Sequence, residues 1–453
     1  MPHSFDLFDT LIGRLHCHPD SIFYQVQNNF PYPGFVLFRT LAESQSNGTL
    51  RDIYRKFQAL TGASDEEARA LQDFEFQTEL NQIFPIRENL TQVQHGDLIV
   101  SDTYYTSRQI RFILDRIGLN KKIHLYASPR GKSRGTIWDK IGKKHTILSH
   151  RGDSLRADLL SPQSKGIPAQ HYTHSQLSAH EKSMAALGHE DLAYLMRALR
   201  LQNPYPPSSP QYALWNDQCQ INLPLLIHAS HFLDTFCQQK NKKRILFTSR
   251  DGCLWIQLFQ KLYPDYESIY FHSSRYAYIY PTAHFIDYVR SLYTHDALIV
   301  DSHGSGISCT QFFTQHLQQC PIYLSIINSK KTQHAILREN QRHETIEKLN
   351  YDLVGTLYGM DESGPLRSPL EYDPQFVLPS HRCIELCVQL LSEYNLLSFD
   401  KRVIAWASAQ ARSPLAVDHY IDHAVHHVHL PQDQGMRHLH VLTRGQTYEP
   451  RLR

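Results

Sequence analysis

The sequence predicts an α/β protein with two parallel-sheet lobes, a helical cap inserted in the first lobe and a helical C-terminal segment. Three observations carry that expectation. Short β-branched runs alternate with amphipathic helical stretches from residue 97 to 153, and again from 244 to 328. An all-helical pattern from about residue 19 to 84 separates the first strand from the second. The stretch "NPYPPSSP", residues 203–210, is a proline- and serine-rich break between the two alternations.

Taken in order, residues 3–12 read as a short buried strand and a polar turn. "PDSIFYQVQNNF" opens on Pro-Asp, a good helix start. "TLRDIYRKFQAL" and "SDEEARALQDFEFQTELNQIF" space their apolar residues by three and four, and the second begins with a capping box, Ser64 to Glu67. Glu75 and Glu79 in that helix read as part of a solvated face. "DLIVSD", "IHLYASP" and "TILSHRGD" are strands, with helices "SRQIRFILDRIGL" and "SRGTIWDKIG" between them. In the second alternation the strands are 244–249, 268–274, 297–301 and 322–328. Each alternation has the βαβ rhythm of a Rossmann-like sheet. The expected domains are 1–172, with the cap at about 15–92, a helical linker 173–212, a second α/β domain 213–435 ending in helices, and a tail 436–453.

Composition narrows the partners. The chain has 453 residues, 41% of them hydrophobic, enough for large cores. A net charge of +2 gives no pull towards nucleic acid or an anionic membrane surface. No apolar run reaches the length of a membrane span, and the N-terminus has no classical signal peptide pattern. The eight cysteines are scattered without a CxxC, which reads as free thiols in a reducing, cytoplasmic setting. Among 28 histidines, His419, His423 and His426 or His427 share one helical face near the end, without a pattern that completes a metal site.

In an open parallel sheet, ligands collect at the carboxyl ends of the strands. The first strand delivers Asp6 and then Thr10; the second delivers Ser101 and Asp102. Lys132 follows the third, and the fourth ends in Gly152-Asp153, with Asp158 close behind. A carboxylate nucleophile, a hydroxyl, an ammonium and a metal-binding carboxylate suffice for phosphoryl transfer.

This set resembles the haloacid-dehalogenase-like superfamily over residues 1–172. "FDLFDTL" matches the first motif with Asp6 and Thr10, "LIVSD" the second with Ser101, "PRGKSRG" the third with Lys132, and "RGDSLRAD" the fourth with Asp153 and Asp158. The resemblance implies Asp6 as phosphoryl acceptor, and Mg²⁺ held by Asp6, the Phe8 carbonyl, Asp153 and, more weakly, Asp158. It implies a phosphohydrolase or phosphotransferase of a small phosphorylated metabolite, a sugar or nucleotide phosphate, beneath a helical cap. One position departs: phosphatases of the family carry a second Asp two residues after the nucleophile, and here Phe8 stands there. Asp9 cannot replace it, because side chains three apart on an extended strand face opposite ways. Asp9 is open to a plainer reading, as a cap on the turn.

The second alternation holds "LFTSRDGCLW", with Ser249, Arg250, Asp251 and Gly252, and "LIVDSHGSGIS", with Asp301, Gly304 and Gly306; Arg275 follows a third strand. Glycines and hydroxyls that open a helix, with arginines nearby, suit an anionic ligand. Here the chain resembles bacterial two-part proteins, linked with surface polysaccharide, in which an "FDxFDT" domain precedes an "SRDG" domain. The "LIVDSHGSG" loop also faintly resembles the phosphoribosyltransferase loop. Two alternatives therefore stand beside the first reading: a glycosyl- or phosphoribosyl-type transferase in the second lobe, and a phosphometabolite-binding module without catalysis.

Overall fold

Buried on both faces, the strands of a parallel sheet need no alternation, and the runs Leu98–Ser101 and Tyr323–Asn328 are buried throughout. The computed structural model describes residues 1–423 apart from 31, 47, 329–333, 340–343 and 397. The architecture is α/β, with two five-stranded parallel sheets flanked by helices. His426, His427 and the segment 436–453 lie outside the described residues. No helix among those residues is long and apolar enough to cross a membrane.

The chain divides into two units. The first comprises Met1–Lys182 and Ala193–Pro204, and the second Ser183–Leu192 and the chain from Tyr205 onward. Residues 173–212 are thus shared out between the units, and the chain passes from one to the other three times.

In the first unit the strands are β1 (Ser4–Phe5), β2 (Ile12–Arg14), β3 (Ile83–Pro85), β4 (Leu98–Ser101), β5 (His124–Ala127), β6 (His150–Gly152) and β7 (Ala169–His171). The sheet order is β5-β4-β1-β6-β7, so strand order reverses between β1 and β6. The antiparallel pair β2–β3 forms the neck of the helical insertion. Four helices make up the cap: α1 (Asp20–Asn29), α2 (Phe35–Ser44), α3 (Leu50–Thr61) and α4 (Asp65–Gln82). Capping boxes start α3 at Thr49/Asp52 and α4 at Ser64/Glu67; in the latter, the Ser64 amide donates to Glu67 at 2.8 Å. One hydrophobic cluster joins Phe5, Leu7 and Ile99 of the sheet to Phe23, Phe35, Phe57 and Leu71 of the cap.

Glu75 and Glu79 are not on a solvated face. Ala68, Leu71, Glu75, Glu79 and Gln82 form the buried stripe of α4. Arg39, fully buried, makes a two-pronged pair with Glu75 at 2.7 and 2.8 Å, and the Tyr54 hydroxyl donates to the same carboxylate. Glu79 accepts from Arg14 at 2.8 Å and from the Tyr105 hydroxyl at 3.1 Å. The acids sit where an apolar face was expected to end because each has a buried cationic partner.

In the second unit the strands are β8 (Arg244–Thr248), β9 (Glu267–Phe271), β10 (Ala297–His303), β11 (Tyr323–Asn328) and β12 (His334–Arg338), with a hairpin of β13 (Leu357–Asp361) and β14 (Gly364–Arg367). The sheet order is β12-β11-β10-β8-β9, with its reversal between β8 and β10. Strand β12 and the hairpin were not apparent from the sequence, being short and mixed in polarity.

Candidate active site

Three parallel strands and the loop after a fourth bring the predicted groups of the first lobe to one edge. Asp6 directly follows β1, Ser101 ends β4, and Asp153 directly follows β6. These are carboxyl ends on either side of the point where strand order reverses. Lys132 comes from the loop between β5 and the next helix, Thr136–Gly142. The Asp102 carboxylate pins that loop, accepting from the Lys132 amide at 2.7 Å and the Ser133 amide at 3.2 Å. The Ser161 hydroxyl donates to the Lys132 carbonyl at 2.6 Å.

The Lys132 ammonium, buried with its stem, donates to Asp6 Oδ1 at 2.5 Å and to Asp158 Oδ1 at 2.6 Å. Burial works against its charge, but the two carboxylates outweigh it and hold Lys132 as an ammonium. Burial pushes the Asp6 carboxyl up, Lys132 pulls it back, and Asp158 and Asp153 add to the rise. Asp153 is pushed up to about 6 by burial and the charges of Asp9 and Asp158. Burial would raise Asp158 too, but a hydrogen bond from His150 and the Lys132 charge keep it at about 2. His150 is buried and neutral: Nε2 donates to Asp158 at 2.9 Å, while Nδ1 faces the Ser4 hydroxyl at 2.8 Å.

These contacts separate the roles of the acids. Both Asp158 oxygens are engaged, Oδ1 by Lys132 and His150 and Oδ2 by the Ser154 amide at 3.0 Å. Asp158 therefore positions Lys132, and its tight seat explains Gly152: a Cβ there would lie 2.3 Å from the Asp158 carboxyl carbon. Asp6, Asp153 and Asp158 each offer an oxygen within 4.8 Å of the others. All-oxygen donors with a carboxylate as electron-rich as Asp153 fit a hard divalent cation such as Mg²⁺. Thr10 is fully buried and its hydroxyl has no partner, an orphan that a phosphoryl oxygen would satisfy. Ser101 is buried, and its carbonyl accepts from the Ser128 amide at 3.1 Å.

Phe8 and Asp9 are both tied into structure. The Arg14 guanidinium lies 4.1 Å above the Phe8 ring. Asp9 adopts a left-handed φ of 53° and accepts from Arg197 at 2.7 Å. Arg197 also donates to the carbonyls of Ser175 and Arg14, at 2.6 and 3.1 Å. Sequence reasoning missed Arg197 and His150. Neither carries a motif, though His150, two residues before Gly152 on a buried strand, has the alternation that points a side chain to the same face.

In the second lobe the reversal point carries Arg250 and Asp251 after β8 and Asp301 on β10. Ser302 donates to Asp251 at 3.3 Å, and the Tyr323 hydroxyl donates to Asp301. Burial raises Asp251, Asp301 and also Glu347, which sequence reasoning missed; Glu347 in turn feels the charges of Arg250 and Arg275. Arg250 pairs with Glu371 at 3.2 Å and lies over the rings of Tyr351 and Tyr372. Arg275 is exposed. Ser249 is tied to the segment just after β9: its hydroxyl donates to the Ser273 carbonyl at 2.6 Å and accepts from the Ser273 amide at 3.0 Å.

The glycines of this lobe have packing reasons. Gly306 has a φ of 64°, and a Cβ there would lie 2.7 Å from the Tyr323 ring; at Gly304 it would lie 2.9 Å from Asp301. At Gly252 a Cβ would lie 2.6 Å from the Thr248 carbonyl oxygen. Compared with known proteins, the chain matches no protein-family model and no curated protein.

Proposed function

We propose that the first lobe is a Mg²⁺-dependent phosphohydrolase or phosphotransferase of a small phosphorylated metabolite, acting through a phosphoryl group carried on Asp6. The observation that supports this most is the Lys132 ammonium seated between Asp6 and Asp158, beside Asp153, at the carboxyl edge of the sheet. In this reading an Asp6 oxygen attacks phosphorus, and the bond to the leaving oxygen breaks as the new one forms. Lys132, Ser101 and the orphaned Thr10 hydroxyl donate to the phosphoryl oxygens. Asp6, Asp153 and the Phe8 carbonyl would hold Mg²⁺. When bound, the cation neutralises charge between carboxylates and phosphoryl oxygens.

Phe8 leaves no carboxyl to protonate the leaving group, a loss of about 10²–10⁴ in rate. The reading therefore favours esters with good leaving groups, or transfer to an acceptor. The test is Mg²⁺-dependent phosphate release from a chromogenic aryl phosphate by wild type and Asp6→Asn. Asp6→Asn should lose all turnover while remaining folded, as read by circular dichroism. Turnover retained in that variant would place the chemistry elsewhere. Stabilisation by phosphorylated metabolites without product in wild type would leave a binding module.

A second reading rests on Arg250, Asp251 and Asp301 at the reversal point of the second sheet. It makes that lobe a glycosyl- or phosphoribosyl-type transferase. Calorimetry with nucleotide sugars and phosphoribosyl diphosphate, on wild type and Arg250→Ala, tests it; absence of binding would rule it out.

A further inference from the structure

We propose that Cys253, Asp352 and His381 of the second lobe form a transition-metal centre suited to Zn²⁺. The three residues come from separate segments. Cys253 opens the helix Cys253–Leu262 directly after Gly252, Asp352 lies between the helix Glu344–Leu349 and β13, and His381 is on the helix Leu378–Leu390. The fold nevertheless brings one ligand atom from each within 4.8 Å of the others.

The groups around these side chains are arranged as metal ligands require. His381 Nε2 lies 2.9 Å from the Tyr351 carbonyl, which can only accept; Nε2 therefore donates, which leaves Nδ1 as the nitrogen to ligate a metal. Asp352 is fixed by the Tyr270 hydroxyl and by the Leu353 amide at 2.7 Å, and the Tyr372 hydroxyl donates to its carbonyl. Cys253 is buried, with Sγ 3.4 Å from the Asn350 carbonyl. Such outer hydrogen bonds orient ligands and fix tautomers at metal sites.

The donor set selects the cation. One sulfur, one imidazole nitrogen and one carboxylate oxygen suit Zn²⁺, whereas Mg²⁺ takes oxygen and leaves thiols alone. Binding breaks the Cys253 S–H bond, sends the proton to solvent and forms a sulfur–metal bond without any change of oxidation state. The dication, the thiolate and the Asp352 carboxylate then sum to zero charge, which a buried setting favours. A nucleophilic cysteine uses the same three residue types, but it sits where a substrate can reach it, and Cys253 is buried. Three protein ligands leave a fourth position open. Tyr351 and Tyr372, which orient His381 and Asp352, also carry the Arg250 guanidinium at 5.4 and 5.6 Å. A bound metal would thus steady the loop that presents Arg250.

The test uses the full chain, stripped with a chelator and kept in excess Mg²⁺. Co²⁺ is added as a spectroscopic probe and then displaced with Zn²⁺. Wild type should show a sulfur-to-cobalt charge-transfer absorption that Zn²⁺ removes. Cys253→Ser should lack it, and Cys320→Ser, whose thiol is exposed and elsewhere, should keep it. Tightly bound zinc should fall by one atom per chain in Cys253→Ser and in His381→Gln. Sites formed by other histidines contribute equally to every variant. An absent charge-transfer band in wild type, which needs no variant to fold, overturns the proposal, as does an undiminished band in Cys253→Ser.

Discussion

Asp153 is the residue on which a pH dependence turns. Its carboxyl is pushed up to about 6, against an ordinary value of 3.8, by burial and by Asp9 and Asp158. A cation and a proton compete for such a group. Mg²⁺ should therefore raise the melting temperature at pH 7.5, and that effect should fade as pH drops through about 6. A Mg²⁺ shift of equal size at pH 5 would place the cation away from Asp153. Without the cation the linkage runs the other way. A raised carboxyl binds its proton more tightly in the folded state, so its stabilisation is present below 3.8 and lost as pH rises through about 6. Asp158, held at about 2, stabilises above 3.8 and loses that contribution only as pH falls towards 2. Asp6 and Asp153 could be placed from sequence because each directly follows a short strand, which marks a sheet edge, whereas Lys132, five residues beyond β5, was placed by motif resemblance. Arg197 could not be placed, since partners 188 residues apart, as Asp9 and Arg197 are, leave no local pattern; His150 could not, because a lone histidine on a strand carries no motif although its partner Asp158 is near in sequence.

At the scale of elements, α4 shows why amphipathic reading succeeds and fails in one helix. Its start and its capping box follow from Ser64 and Glu67. Its buried stripe was lost at Glu75 because a charge at a core position reads as a solvent-facing one until its partner is known. Arg39, on α2, is that partner. Breaking a buried pair strands the remaining charge and costs about 3–5 kcal/mol. Arg39→Met should therefore lower the unfolding free energy by about that amount in urea titration. Arg39→Met with Glu75→Leu, which removes both charges, should recover most of it. A single variant that melts like wild type would show the pair to be dispensable. The pair is shielded from solvent, so the loss should persist at high salt, where surface pairs are screened.

On the scale of the whole molecule, the two-lobed α/β plan was legible and the partition of the middle was not. Repeated strand–helix runs announce parallel sheets wherever they occur. The unit boundaries fall inside the helices 179–186 and 190–201, and only tertiary packing assigns residues 183–192 to one unit and 193–204 to the other. A fragment of residues 1–172 would lack Arg197 and leave Asp9 without its cation. It should melt several degrees below a fragment of residues 1–204, about 2–4 °C for each kcal/mol lost. Equal melting temperatures would show that the Arg197 contacts carry no stability. The same threading orders events on the ribosome. At about 5–20 residues per second, the chain between Asp9 and Arg197 takes on the order of ten to forty seconds to synthesise. Once β7 has been made, the loop that carries Asp6 has its strands and its helical cap but not yet the guanidinium that closes it. The first lobe is thus complete only once residue 204 has been translated, after its own last strand and before the second sheet begins.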